Sequence, residues 1–214
     1  MPGPIPPAPW EARIWLVTDR RLAEKEGIPP EEAVLRAVEA GVEAVLIRDK
    51  DLPEEAYRDY AARIKLKVGR RAALVASHRL EAAVALGLDG VQFGTKDGDP
   101  EALINQLPPG MQAGFSCHSV EEAVLRERQG YRWVFLGPIF ATPEKLKYGD
   151  PLGLEVVHLA VERLSIPVVF IGGINRSTIE PLVAAGAQRV AAIRAFMGPH
   201  AREEIAAVRS VLAD

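Results

Sequence analysis

The sequence predicts an α/β protein, a single (β/α)₈ barrel behind a short proline-rich arm. Short apolar or β-branched runs alternate with Ala- and Glu-rich stretches of helical periodicity, as in parallel strands joined by crossover helices. A helix-Gly-strand joint recurs as Ala-Gly-Val-Glu-Ala-Val, Leu-Gly-Leu-Asp-Gly-Val and Ala-Gly-Ala-Gln-Arg-Val. An open doubly wound sheet is the alternative, but no Gly-rich dinucleotide turn follows the first strand, which favours the closed barrel.

The pattern divides the chain into an arm over residues 1–12 and a barrel domain over residues 13–214. The predicted strands are Ile14–Val17, Ala44–Ile47, Ala73–Ala76, Gly90–Phe93, Gln112–Phe115, Trp133–Leu136, Val168–Ile171 and Arg189–Ile193. The main predicted helices are Pro30–Ala40, Glu54–Lys67, His78–Leu86, Val120–Gln129, Leu154–Arg163 and Ser177–Ala185. Several of these helices end near a glycine, the residue that helix C-termini favour.

Composition excludes several classes of function. The 26 Lys and Arg against 29 Asp and Glu leave a net charge of −3, so no basic excess is available for a nucleic-acid backbone. The one cysteine, Cys117, can form neither an internal disulfide nor a cysteine-rich metal site, which fits a reducing cytoplasm. We find no secretory signal and no apolar run that could span a bilayer, so the sequence predicts a cytoplasmic protein.

In a barrel of this kind, residues just beyond the strand ends line one mouth, where ligands bind. The polar, charged and glycine residues at these positions are Thr18, Asp19, Arg48, Lys50, Ser77, His78, Gln92, Gly94, Asp97, Ser116, His118, Ser119, Gly137, Thr142, Lys145, Gly172, Gly173, Asn175 and Arg194. The set includes the cations Arg48, Lys50, Lys145 and Arg194, and the pair Gly172-Gly173 lies beside a predicted helix start. The sequence therefore predicts a phosphorylated small-molecule ligand.

The loops after the seventh and eighth strands are the usual phosphate cradle of such barrels, so Gly172, Gly173, Ile193 and Arg194 are predicted phosphate contacts. A tight turn that merely needs positive φ is the alternative explanation of the two glycines.

The second strand ends in Arg48-Asp49-Lys50, where strand alternation places both cations on one face and Asp49 elsewhere. This favours an anion site. A solvated strand exit, with Asp49 pairing an arginine locally, is the alternative.

His118 is the predicted proton-transfer residue, because an imidazole titrates near neutral pH. Equally, it can orient the next helix, whose start at Ser119-Val-Glu-Glu resembles a capping box. Alternation turns Cys117 away from the face that Ser116 and His118 share, so it is not expected to act as a nucleophile.

Six phrases, taken together, resemble the thiamine phosphate synthase and TenI superfamily over nearly the whole chain, from Trp15 to Met197. They are Leu-Val-Thr-Asp, Ile-Arg-Asp-Lys, Leu-Gly-Leu-Asp-Gly-Val-Gln-Phe-Gly, Gly-Phe-Ser-Cys-His-Ser, Leu-Gly-Pro-Ile-Phe-Ala-Thr-Pro-Glu-Lys and Phe-Ile-Gly-Gly-Ile-Asn. The resemblance implies a barrel, a homodimer, and a site for a thiazole phosphate. It places Ser116, Thr142 and Lys145 among the substrate contacts.

In the synthase branch, the resemblance implies a second substrate, a pyrimidine diphosphate bound with Mg²⁺. Diphosphate leaves, and the thiazole nitrogen attacks a pyrimidine-methyl cation. Arg48 and Lys50 then match the diphosphate-binding positions, and Asp97 matches the second acidic metal ligand. An Asn-Asp pair is usual after the third strand, and here Ser77-His78 replaces it.

The TenI branch catalyses a metal-free proton shift on a thiazole carboxylate phosphate, with a histidine at the position of His118 as the acid-base group. Histidine is a poor exchange for an Mg²⁺ carboxylate. Glu144 adds a negative charge beside Lys145, which would weaken phosphate binding. Arg194 stands where a serine is usual, and two effects are open for it: a stronger hold on a phosphate or a block of it. We therefore expect a TenI-type thiazole tautomerase, an isomerase without a cofactor. The alternatives are the Mg²⁺-dependent synthase and a non-catalytic binder of a thiamine-related phosphate.

Overall fold

The computed structural model describes residues 6–141 and 150–213, and eight parallel strands close into one barrel. The strands are β1 Ile14–Val17, β2 Ala44–Ile47, β3 Ala73–Ser77, β4 Gly90–Gly94, β5 Ala113–Cys117, β6 Trp133–Leu136, β7 Val168–Ile171 and β8 Val190–Ala192. Each strand pairs with the next, and β8 pairs with β1. This confirms the predicted barrel over an open sheet.

The barrel interior is a packed core of large and small side chains from alternating strand positions. Trp15 and Trp133 are fully buried there, and Trp15 meets Phe135 edge-on with ring centroids 5.1 Å apart. The Trp15 indole donates to the Ala12 carbonyl at 3.2 Å, and Ala12 is buried in the same cluster. Ala12 precedes β1, so this packing lies toward the N-terminal ends of the strands. Ligands of such barrels bind at the other end, the C-terminal mouth.

The helices cover the outer face of the strands. They are α1 Arg20–Lys25, α2 Pro30–Ala40, α3 Glu54–Val68, α4 Leu80–Leu86, α5 Pro100–Asn105, α6 Val120–Arg128, α7 Glu155–Arg163, α8 Ile179–Ala184, α9 Arg194–Met197 and α10 Ala201–Ala213. Helices α1, α5, α9 and α10 are not among the main helices predicted from the sequence. The predicted last strand, Arg189–Ile193, is too long, because the chain turns at Ile193 (φ −106°, ψ −77°) into α9.

The helix-strand joints depend on glycine as expected. Gly41, Gly87, Gly130 and Gly186 all have positive φ, between 55° and 121°, a region in which other residues are strained. Among the described residues, no helix combines the length and the apolar character that a bilayer crossing requires.

Candidate functional site

The site is built on the C-terminal rim of the barrel. Arg48, His118 and Gly173 follow β2, β5 and β7, and all strands are parallel. The carboxyl ends of parallel strands in a closed barrel lie at one end of the molecule. The structure therefore brings these three predicted residues to one face.

At the β2 exit, Asp49 anchors the loop that presents the two cations. Its side chain accepts hydrogen bonds from the Thr18 hydroxyl at 2.9 Å and the Arg20 amide at 3.1 Å. Burial raises the pKa of Asp49, although these two hydrogen bonds oppose the rise. Asp49 is buried, while Arg48 is half-buried and Lys50 exposed. The expected separation of Asp49 from its neighbours holds, although β2 itself ends at Ile47.

Arg48 carries a partly desolvated charge at the mouth. Burial lowers the pKa of its guanidinium, and the carboxylates of Asp19 and Asp49 oppose that change. Arginine stays protonated in proteins, so the charge persists. Within the described residues, nothing accepts a hydrogen bond from this guanidinium, and its backbone N–H donates to the Thr18 hydroxyl at 2.8 Å. An anion at the mouth would supply the missing acceptor.

The loops after β6 and β7 lie backbone against backbone. The Ile139 and Phe140 amides donate to the carbonyls of Ile171 and Gly172 at 2.9 and 3.0 Å. A Cβ on Gly173 would stand 2.7 Å from Cβ of Phe140, and φ there is +70°. The tight-turn explanation of the two glycines is thus satisfied. Their phosphate contact stays a prediction.

Ser116 is held from inside the barrel. The Trp133 indole donates to Oε1 of Gln92 at 2.7 Å, and Nε2 of Gln92 lies 3.1 Å from the Ser116 hydroxyl oxygen. A side chain at Gly114 would overlap both the indole nitrogen and the Gln92 amide oxygen, so only glycine fits. Because Ser116 accepts from the amide, its own O–H can donate into the mouth.

His118 supports the start of the next helix through its backbone, while its proton-transfer role stays a prediction. Its backbone amide donates to Oε2 of Glu122 at 2.8 Å, while Oγ of Ser119 accepts from the Glu122 amide at 3.1 Å. The capping box therefore exists, with its return bond shifted to His118. The imidazole Nδ1 lies 2.9 Å from the Gly137 carbonyl. A carbonyl only accepts, so Nδ1 carries a proton and Nε2 is left for a ligand.

His78 and Asp97 form a pair at the ends of β3 and β4. Nδ1 of His78 is hydrogen-bonded to Oδ2 of Asp97, which also accepts from the Gly94 amide at 2.7 Å. Burial favours a higher pKa for Asp97. The hydrogen bonds from His78 and Gly94, with the charges of His78 and Lys50, outweigh it, and the pKa lies below its usual range. Lys50 is therefore an electrostatic neighbour of this pair.

These donors do not fit Mg²⁺, which requires oxygen ligands in near-octahedral geometry. One carboxylate oxygen of Asp97 is already engaged by two hydrogen bonds, and the neighbouring donor is an imidazole nitrogen. In residues 6–141 and 150–213, no three His, Cys, Asp or Glu side chains are grouped to hold a metal. Mg²⁺ binding by Asp97 stays a prediction that this geometry does not favour.

Two predicted phosphate contacts, Thr142 and Lys145, lie outside the described residues, as does Glu144. Ile193 and Arg194 are at the rim after β8, where Ile193 precedes the first turn of α9 and the Arg194 side chain is exposed. Cys117 is the last residue of β5 and is buried on the side of the strand that faces the helices, as alternation predicted.

A family model described as thiamine monophosphate synthase (TMP-TENI) matches residues 14–196. The chain belongs to this family. It is 34% identical over 202 residues to a putative thiamine-phosphate synthase of Geobacter sulfurreducens, covering 93% of each chain. It is 35% identical to a bifunctional thiamine biosynthesis protein of Symbiobacterium thermophilum, and it spans 43% of that protein's length.

A solved structure of thiamine phosphate pyrophosphorylase from Pyrococcus furiosus matches this fold with a TM-score of 0.84. The two chains are 30% identical, and the match covers 94% of this chain and 95% of the other. The chain is thus a thiamine-biosynthesis barrel, as the resemblance implied.

The expectation of a tautomerase is wrong. Relatives with near-complete mutual coverage are named thiamine-phosphate synthases, which are transferases. The main reason to expect a tautomerase is the replacement of the Asn-Asp pair by Ser77-His78. That replacement changes the ligands offered to a metal, but Arg48 and Lys50, the cations matched to diphosphate binding, are kept at the rim.

Sequence reasoning missed the His78–Asp97 pair and the support of Ser116 by Gln92 and Trp133. All the members except Trp133 were noted as strand-end residues. In a closed barrel, β3 lies beside β4 and β4 beside β5. The predicted strand order could therefore have indicated that these residues are neighbours. It could not have indicated the direction of each side chain.

Proposed function

We propose that the chain is a thiamine-phosphate synthase that joins a thiazole phosphate to a pyrimidine carrying a diphosphate. The near-full-length relatives with that name support the activity. The single structural observation that supports it is the placement on one rim of two separate regions suited to anions. One is the cation pair after β2, and the other is the glycine-lined loop after β7.

The chemistry breaks the bond between the pyrimidine methylene carbon and a diphosphate oxygen, whose electron pair leaves with the diphosphate. The thiazole nitrogen then donates its lone pair to the methylene carbon. Negative charge therefore develops on the leaving oxygen, and a fixed cation beside it lowers the barrier. Arg48 is suited to this role because it is already partly desolvated and keeps its charge.

Lys50 extends the same cationic surface toward the β3 and β4 exits, since its charge acts on Asp97. A diphosphate held by both cations would lie along the rim between β2 and β4. Ser116, on β5, can then donate its hydroxyl proton to the next polar group of the pyrimidine substrate.

The thiazole phosphate is assigned to the loop after β7. The chain turns there with positive φ at Gly172 and Gly173, and Ile193 and Arg194 flank this region from β8. His118 lies between the two regions, since its imidazole binds the Gly137 carbonyl after β6. Its Nε2 is proposed to contact substrate and is not assigned the tautomerase proton shift.

The decisive experiment mixes purified protein with both substrates and measures thiamine phosphate and inorganic diphosphate. We expect the two products in equal amounts. Arg48→Met keeps the aliphatic stem but removes the charge. Charge-assisted hydrogen bonds contribute about 1.5–3 kcal/mol, so KM for the diphosphate substrate should rise about 10- to 100-fold.

Arg163→Met is the matched control, because Arg163 ends α7 in the outer layer of helices, where it pairs with Glu121 of α6 at 2.7 Å. Its kinetics should equal those of the unaltered protein. Tight binding of both substrates without any product would refute the synthase and leave a non-catalytic binder.

A further inference from the structure

The loop after β2, residues 48–53, is held from both sides by the segments that follow its two neighbouring strands. β2 pairs with β1 on one side and with β3 on the other. Arg20 follows β1 and Arg79 follows β3, and the side chain of each reaches the β2 loop. Lys50, one of the two cations proposed to hold diphosphate, lies within this loop.

Arg20 contacts the residues on either side of Lys50. Its guanidinium donates a hydrogen bond to the Asp51 carboxylate, and its Nε lies 3.9 Å from Oδ1 of Asp49. Its Nη1 also donates to the carboxylate of Glu24 at 3.1 Å, which fixes the guanidinium against α1. Because one planar group holds the residues before and after the lysine, the backbone between them is restrained.

Arg79 holds the other end of the same loop. Its Nη2 donates to the Leu52 carbonyl at 2.7 Å, and its Nη1 donates to Oε2 of Glu54 at 2.7 Å. The guanidinium carbon lies over the ring of Tyr57, 5.3 Å from the ring centroid. The Leu52 amide donates in turn to the Asp49 carbonyl at 3.3 Å, which closes the turn that carries the lysine.

A lysine on an untied loop binds an anion weakly, because the loop must be ordered when the anion arrives. A charge that is fixed beforehand also stabilises a leaving group more effectively. We propose that Arg20 and Arg79 are positioning residues, which hold the β2 loop so that Lys50 meets the diphosphate. Carboxylates of Asp51 and Glu54 already engage the two guanidinium groups, so these arginines act through the loop. This inference rests on the proposed function, which supplies the diphosphate.

Titration calorimetry with inorganic diphosphate tests this positioning and needs no turnover. Arg20→Met and Arg79→Met keep the aliphatic stem of each side chain and remove its contacts with the loop. We expect each variant to bind diphosphate about 10-fold more weakly, because the cation is no longer held in place. Affinity for thiazole phosphate, which is assigned to the loop after β7, should change less than about twofold.

Arg71→Met is the matched control. Arg71 also donates to a backbone carbonyl, that of Val68 at 2.9 Å, and it also pairs with a carboxylate, that of Glu39 at 3.5 Å. It precedes β3, however, and so lies at the opposite end of that strand from Arg79. Its diphosphate affinity should equal that of the unaltered protein.

Removing Lys50 separates positioning from direct contact with the anion and from a general loss of stability. In a Lys50→Met background, each arginine variant should change diphosphate affinity less than about twofold, because the charge that it positions is gone. Arg79→Lys keeps the charge but loses the planar fork that reaches both Leu52 and Glu54. It should therefore behave like Arg79→Met.

Amide hydrogen exchange of the unliganded protein gives a second readout that does not involve diphosphate. Exchange at residues 49–52 should be at least about fivefold faster in Arg20→Met and in Arg79→Met, because each variant frees one end of the loop. The same amides should exchange at an unaltered rate in Arg71→Met.

Unchanged diphosphate affinity in both arginine variants overturns the proposal, and so does unaltered exchange at residues 49–52. An equal loss of affinity with and without Lys50 also overturns it, since the arginines would then bind the anion directly or stabilise the barrel in general. These outcomes are separate from failure of the synthase. A protein that makes no thiamine phosphate can still lose diphosphate affinity in these variants, and an active synthase can keep it.

Discussion

The hydrogen bond between Trp133 and Gln92 allows a quantitative test of how the barrel interior supports the site. The two side chains are 0% and 1% exposed, and the indole nitrogen lies 2.7 Å from Oε1 of Gln92. Gln92→Leu removes the acceptor and leaves the indole N–H buried without a partner. That costs about 1–3 kcal/mol. At a urea slope of about 2 kcal/mol/M, the midpoint falls by about 0.5–1.5 M.

Trp133→Phe removes the indole N–H, so Oε1 of Gln92 loses its donor, and the smaller ring leaves a cavity. The double variant has neither orphaned group. Its loss of unfolding free energy should therefore be smaller than the sum of the two single losses by about 1–3 kcal/mol. Urea unfolding followed by both tryptophan fluorescence and circular dichroism measures this, with coincident curves establishing a single transition. Additivity within about 0.5 kcal/mol would refute the coupling.

Two other outcomes follow from local geometry. Gly173→Ala should lose about 1–3 kcal/mol more stability than Gly27→Ala in calorimetry, because both have similar positive φ (+70° and +66°) but only Gly173 would crowd Phe140; equal losses would contradict the close approach of the two loops. Burial raises the pKa of the Cys117 thiol, so a thiol reagent at pH 8 should leave it unmodified in the native protein and modify about one equivalent in guanidinium; rapid native labelling would contradict that burial.

The sequence predicted the barrel well because its strands are buried apolar runs with glycine joints. β1, β2, β6 and β7 begin and end where the pattern placed them. The short helices α1 and α9 have too few turns for an apolar stripe to reveal them. The predicted last strand is too long because Ile193 is β-branched, a residue type typical of strands. Nothing in the local sequence shows that the backbone turns at Ile193.

The site was predicted as a set of residues on one rim and not as a set of contacts. Strand order places β3 beside β4, but the His78–Asp97 bond also requires positive φ at His78 and an Asp97 turned back to the Gly94 amide. These depend on backbone torsions that no spacing rule supplies. For the same reason, the sequence shows at Ser77-His78 only the loss of the usual Asn-Asp pair, and does not show that His78 binds Asp97.

A crystal structure of the protein with inorganic diphosphate and thiazole phosphate would show whether one rim holds both anions. We expect diphosphate against Arg48 and Lys50, and the thiazole phosphate at Gly172 and Gly173, both on the C-terminal rim. Phosphate groups bound at the other end of the barrel, near Gln188 and Arg189, would contradict this placement.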